Sequence, residues 1–308
     1  AFICKDSDVK FLGITAAPEI MAYSKNADGF MYISASHNPV GHNGIKFGLN
    51  TGGVLNATEN AGLVSKFNAL CEAENAEKNA FNLIHDVQEE KIAAVYKAVS
   101  EEKAKALAAY STFLNETISG TNDRTRQKDL FSRLQKAISE KHIGVVCDMN
   151  GSARAASVDA EFFRENGINF YAIHNRPGEI VHEIIPEAEN LVHVATEMER
   201  LQKEGKKDAL LGYMPDCDGD RGNIVYWNEK TGKAEVLKAQ EVFALSVLAE
   251  LSFCAYMHTL LGSSEQKLAV AVNGPTSMRI NEIAQAFGAK VYHAEVGEAR
   301  GQDLPRLL

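Results

Sequence analysis

The chain has 308 residues, 45% hydrophobic and 24% charged, with 32 basic against 41 acidic residues and a formal net charge of −9. That length buries a sizeable core and suits two or three domains, while the acidic balance argues against nucleic-acid binding as the main business. Five cysteines (Cys4, Cys71, Cys147, Cys217 and Cys254) without CxxC spacing indicate neither a disulfide framework nor a zinc site, and suit a reducing, cytoplasmic setting.

Residues 1 to 50 read as short apolar segments broken by Gly, Pro and Asn, which suits strands and loops. From 60 to 140 the chain is rich in Ala, Glu and Lys and has no proline. Apolar residues recur there at helical spacing, as in EEKIAAVYKAVSEEKAKALAAY, so two to four helices are expected, with SGTNDRTRQ at 119–127 as a polar loop. HIGVVCDMNGSARAASVDAEFFRENGINFYAIH then predicts a βαβ unit whose first strand runs from Ile143 to Cys147. DALLGYMPDCDGDRGNIVYW repeats the strand-then-loop pattern. The most apolar run, Val242 to Leu261, contains Glu250, His258 and two serines, and reads as a buried helix rather than a membrane span. LGSSEQK at 261–267 marks a boundary, after which a third strand-loop-helix-strand series begins. Domains at 1–140, 141–262 and 263–308 follow, the last one incomplete. The opening AFICKD lacks a methionine, so the natural N-terminus is expected upstream.

Two loops carry chemistry. In YISASHNPVGHNGIKF (32–47) a strand ends in two serines, a histidine and Asn-Pro, followed by Gly41, Gly44 and Lys46. Alone, a loop serine is a turn residue that bonds its own backbone. Ser36 beside His37 and Lys46, however, is a hydroxyl with an imidazole and an ammonium close by, as transfer of an anionic group requires. Ser36 is flanked by Ala and His, so the GxSxG elbow of acyl transfer is absent. In PDCDGDRGN, Asp216, Asp218 and Asp220 alternate after an apolar strand. Such carboxylates repel one another unless a cation holds them; otherwise the loop is a solvated acidic turn, which Gly219 and Gly222 would allow. A calcium EF-hand loop would need Gly and Glu where Arg221 and Trp227 stand. Magnesium, a hard cation that takes a few carboxylates and a phosphate oxygen, fits better. Arg221 is placed to hold a substrate or phosphoserine oxygen. Metal, serine and basic groups together are the equipment of phosphoryl transfer.

SASHNPVGHNGIK and DCDGDR, with DMNGSA between them, together resemble the motifs of the α-D-phosphohexomutase family, which includes phosphoglucomutase, phosphomannomutase and phosphoglucosamine mutase. The resemblance spans residues 10 to 300 and is patchy between the motifs. It implies consecutive α/β/α domains and interconversion of hexose 1-phosphate and hexose 6-phosphate through a phosphoserine and a hexose 1,6-bisphosphate. It further implies that Ser36 carries the phosphoryl group, that His37 and Lys46 line the reacting site (Lys46 as an acid/base, His37 equally as a structural loop contact), and that Arg221 contacts substrate. Ser36, Asp216, Asp218 and Asp220 would hold one Mg2+ per chain. AEVGEAR resembles a loop whose Glu298 faces the sugar, and Asn150 and Asn273 lie at strand ends where turn roles are expected. The partner implied is a phosphosugar, with neither nucleic acid nor membrane.

Departures from the family are a longer helical stretch between Lys46 and Asp148, and the absence of an N-terminal Gly-x-Arg-Gly segment, a Gly-Glu-x-Ser-Gly loop and a fourth domain with an Arg-x-Ser-Gly-Thr clamp. A fragment trimmed at both ends is therefore expected, with the third domain incomplete. A phosphoglucosamine mutase and a non-catalytic sugar-phosphate-binding paralogue remain as alternatives. A phosphatase with an aspartate nucleophile in DxDx(T/V) would need that motif after the first strand, far ahead of Asp216.

Overall fold

The computed structural model describes residues 7–34, 36, 38, 39, 41–261 and 267–294. The chain starts with α1 (Ala17–Tyr23), which has a proline in its first turn where no intrahelical N–H is needed. Strands β1 (Gly29–Ile33) and β2 (Ile45–Leu49) follow as an antiparallel pair with Tyr32 opposite Lys46. The serine loop is the connection between them, closed by Ser34 N–H donating to Gly44 O at 3.0 Å. Gly48 is demanded by close packing, since a Cβ there would lie 2.1 Å from the Phe30 ring and 2.5 Å from Gly53 O.

The Ala/Glu/Lys-rich stretch forms five helices, where two to four were expected: α2 (Ala57–Glu72), α3 (Ala76–His85), α4 (Glu89–Lys97), α5 (Val99–Ser119) and α6 (Arg124–Lys141). Periodicity alone does not show the breaks. One falls at Asn75, whose backbone is left-handed (φ 63). The anticipated polar loop is shorter than read, because Asp123 accepts from the N–H groups of Thr125 and Arg126 and starts α6 inside it. Helices α2, α3 and α4 bury no residue. Helix α5 does: Ala106 joins Leu12, Ala17, Ile20, Tyr23 and Tyr32 in the first core.

The second sheet contains β3 (Gly144–Asp148), β4 (Asn169–Ile173), β5 (Ala209–Pro215), β6 (Gly222–Asn228) and β7 (Lys233–Val236) in the order β4-β3-β5-β6-β7. Strand β3 is parallel to both neighbours and buried along its whole length, as a doubly covered parallel strand should be. The expected βαβ unit is present, its connection containing α7 (Asp159–Glu165). Helix α8 (Ala188–Lys203) covers one face with Leu191, Val194, Met198 and Leu201, packed on Val146, Met214 and Val225. It approaches so closely that a Cβ on Gly212 would meet Val194 at 2.4 Å. The neighbouring Tyr213 points to the opposite face, where Phe163 of α7 lies 6.2 Å from it and 5.1 Å from Phe170.

Helix α9 (Ala239–Leu261) precedes a third, parallel pair, β8 (Ala269–Asn273) and β9 (Lys290–Ala294), joined through α10 (Arg279–Ala286). Ala244, Val247 and Leu251 of α9 share a core with Val272 and Ile280. The helix read as closing the second domain therefore packs on the third sheet. It was expected to be buried, yet only one side is: Leu245, Leu248 and Tyr256 remain exposed. It is also the one helix among the described residues long and apolar enough to cross a membrane, a test that one-sided core helices pass too.

Candidate active site

The hairpin places Ser36, in the serine loop, against the turn that follows β5. Ser36 has φ 52, which is uncommon for a residue other than glycine. Its N–H donates to Ser34 Oγ at 2.9 Å, and Ser34 Oγ in turn donates to Asp218 Oδ2 at 2.8 Å. Ser36 Oγ then donates toward Asp216 Oδ2 at 3.2 Å and Asp218 Oδ1 at 3.3 Å. The left-handed turn thus aims the hydroxyl at the carboxylates.

The aspartate loop is held from both sides. Asp216 Oδ1 accepts from the N–H groups of Gly219 (3.0 Å) and Arg221 (3.2 Å), which leaves Oδ2 facing the serine. Asp218 O accepts from Ala17 N–H at 2.8 Å, at the start of α1, and Cys217 O accepts from Ala153 N–H at 2.9 Å. Gly219 lies against Arg154, whose Cγ would be 2.5 Å from an added Cβ.

Lys46, on β2, reaches the cluster with Nζ 3.3 Å from Asp218 Oδ2 and 3.8 Å from Asp220 Oδ2. Arg221 lies at the exposed edge, its Nε 3.9 Å from Asp220 Oδ1. Five of the expected site residues therefore converge: Ser36, Lys46, Asp216, Asp218 and Asp220. Arg221 borders them. His37 and Glu298 lie outside the described residues. Asn150 sits in a turn with φ 39, and its side chain does more than the expected turn role, binding the backbone of Val181, His182 and Glu183 more than 30 residues away.

The sequence reading passed over Ser34. It is the hinge of the arrangement, accepting from one serine while donating to an aspartate. The available signal was the Ser-x-Ser spacing, which lets a hydroxyl bond the backbone two residues on.

Electrostatics separate the two buried carboxyls. Burial, then the charges of Asp218 and Asp220, push Asp216 up to about 7. Burial also presses Asp218 upward, but the Ser34 hydroxyl and the Lys46 ammonium outweigh it and hold that carboxyl below the usual range. The ligand oxygens of Asp216, Asp218 and Asp220 lie within 4.8 Å of one another. An all-oxygen set in which burial and mutual repulsion together raise one carboxyl well above its usual range fits a hard divalent cation such as Mg2+.

Residues 2–74 match the family described as phosphoglucomutase/phosphomannomutase, alpha/beta/alpha domain I. None of the curated proteins matches the chain in sequence. Among solved structures, a phosphoglucomutase/phosphomannomutase family protein from Burkholderia thailandensis is 14% identical over 97% of this chain, with a TM-score of 0.55. An N-acetylphosphoglucosamine mutase from Aspergillus fumigatus is 13% identical over 96% of it, with a TM-score of 0.50. At these identities the likeness is one of fold. The chain spans 54% of the first structure's length and 64% of the second's.

Proposed function

We propose that this chain, which resembles the phosphoglucomutase/phosphomannomutase family in sequence over residues 2–74 and in fold beyond them, is part of a phosphohexomutase. Hexose 1-phosphate and hexose 6-phosphate would interconvert through a phosphoserine at Ser36 and a hexose 1,6-bisphosphate. The observation that carries this reading is the convergence of Ser36 Oγ on Asp216 and Asp218, at 3.2 and 3.3 Å, with Lys46 Nζ donating to Asp218 Oδ2.

In the forward half-reaction the bond from phosphorus to Ser36 Oγ breaks and one to a sugar hydroxyl oxygen forms. The serine oxygen finishes with the proton that the sugar hydroxyl gives up. Lys46 is the nearby group able to pass on that proton, and its charge also offsets the carboxylates. Asp216, Asp218, Asp220 and a serine-phosphate oxygen would hold Mg2+, which when bound neutralises charge on the transferring phosphoryl group. Arg221, at the rim, would grip a phosphate oxygen.

The test is transfer of labelled phosphate from glucose 1,6-bisphosphate in the presence of Mg2+. Label on the peptide containing Ser36, and none in Ser36→Ala, is expected. Label elsewhere, or none in the unaltered chain, would overturn the assignment.

A further inference from the structure

The carboxyl end of β3, the strand beside the one that leads into the aspartate loop, gathers a second donor cluster. We propose that Asp148, His182 and His193 form a binding site for a borderline transition-metal ion of the zinc class. This inference is independent of the proposed function.

The donors come from three elements: Asp148 from the end of β3, His182 from the segment between β4 and α8, and His193 from the second turn of α8. Their candidate ligand atoms lie within 4.8 Å of one another. The set is imidazole, imidazole and carboxylate, which suits zinc and its neighbours, whereas Mg2+ and Ca2+ prefer oxygen alone. Tetrahedral ligation at about 2.0–2.1 Å spaces ligand atoms roughly 3.3 Å apart. Closing onto an ion also needs one imidazole to rotate, because His182 and His193 are stacked, with centroids 4.1 Å apart and planes 11° from parallel, and an imidazole binds metal in its own plane.

The hydrogen-bond inventory points the same way. His182 Nδ1 lies 2.9 Å from Glu183 O, and His182 Nε2 lies 2.9 Å from Asp148 Oδ2. Both partners are acceptors, and a neutral imidazole has one N–H. If Nδ1 donates to the carbonyl, Nε2 turns a lone pair toward a carboxylate oxygen. A metal ion between Nε2 and Oδ2 turns that opposition into two bonds.

The surroundings are built to hold these ligands. Asp148 is fully buried, and its other oxygen, Oδ1, accepts from Asn150 N–H at 2.9 Å and meets His174 Nδ1 at 2.9 Å. Oδ2 is thereby presented toward the histidines. Asn150 fixes the His182 segment: its Oδ1 accepts from the N–H groups of Val181 (2.9 Å) and His182 (3.2 Å), and its Nδ2 donates to His182 O at 3.0 Å. Outer contacts of this kind orient metal ligands. His174 is thus a positioning residue that acts through Asp148.

The test uses the whole chain, stripped with chelator and held in saturating Mg2+ so that the aspartate loop is occupied. Co2+ serves as the spectroscopic probe. One equivalent giving intense tetrahedral d–d absorption, displaced by Zn2+, is expected. His193→Phe keeps a ring against His182 but removes a ligand; it should abolish the spectrum while the far-UV circular dichroism stays unchanged. His174→Ala should weaken binding about 10- to 100-fold. Asp218→Asn should leave the spectrum intact. An unaltered chain that gives no tetrahedral spectrum would overturn the proposal and leave an imidazolium–carboxylate cluster in its place. So would a spectrum that survives His193→Phe, or one lost in Asp218→Asn.

Discussion

Asp218 shows how one side chain can serve several partners at once. It is almost wholly buried, and it receives Ser34, Ser36 and Lys46 on its two oxygens. Asp218→Asn removes a full charge from a cluster whose repulsion the cation offsets, so Mg2+ affinity should fall at least about tenfold, the effect of ~1.4 kcal/mol. Isothermal calorimetry checks this, and an unchanged affinity would take Asp218 out of the metal site. Gly151 is a second residue with no substitute. Its φ is 67, and a Cβ would lie 2.6 Å from the backbone of Glu179. Gly151→Ala should cost about 1–3 kcal/mol from the dihedral alone, with the clash adding to it. A urea midpoint equal to that of the unaltered chain would contradict the close approach.

At the scale of elements, helices α2 to α4 stand apart from α5 and α6. Asn56 and Glu59 form a reciprocal capping box at the start of α2, α3 and α4 start without a side-chain cap, and none of the three buries a residue. Phe67, Leu70, Phe81 and Ile84 on these helices are exposed. Local stability follows buried apolar contact, so their amides should exchange with deuterium well before those of β3, buried at every position. Exchange at equal rates would mean that packing is not what distinguishes them. Helix α6 relies on a cap: Asp123→Ala should lower stability by about 1 kcal/mol, because two N–H groups lose their acceptor. Helical periodicity made this whole stretch legible as helix. Its breaks were not legible, because they depend on individual backbone dihedrals, such as that of Asn75, and not on the apolar pattern.

Across the whole molecule, Arg154 ties the first core to the second sheet. Its guanidinium makes a paired contact with Asp159 at 2.9 and 2.6 Å, bonds the Tyr110 hydroxyl at 3.1 Å, and its stem lies under Gly219 of the aspartate loop. Arg154→Ala would leave Asp159, itself buried, with the Tyr213 hydroxyl as its one remaining side-chain partner among the described residues. Breaking a buried pair in this way should cost about 3–5 kcal/mol. Because the same residue supports the aspartate loop, Mg2+ affinity should drop with it. Thermal unfolding with and without Mg2+ reads both effects, and a variant with the unaltered melting temperature and metal-induced shift would refute the link.

The two motifs, the α/β class and the order of strands and helices were determined by local sequence. Turn residues, apolar runs and alternating aspartates act over a few positions, and DCDGDR and SASHNP would read the same in any context. The family resemblance already grouped Ser36, Lys46 and the three aspartates, but which atoms of distant residues meet was decided by the tertiary structure alone. Ser34 gains its role by meeting a carboxylate 184 residues away, and Lys46 meets the same group across 172. Asp148, His182 and His193 follow no spacing rule, since they come together only where the end of β3, the segment after β4 and the start of α8 meet. The absence of CxxC spacing in the sequence could not speak to that cluster. Helix α9 makes the same point from the other side: its composition announced burial, but the extent of burial depends on which neighbours pack against it, and the described structure covers only one face. Burial is a property of pairs of surfaces, and no single segment encodes it.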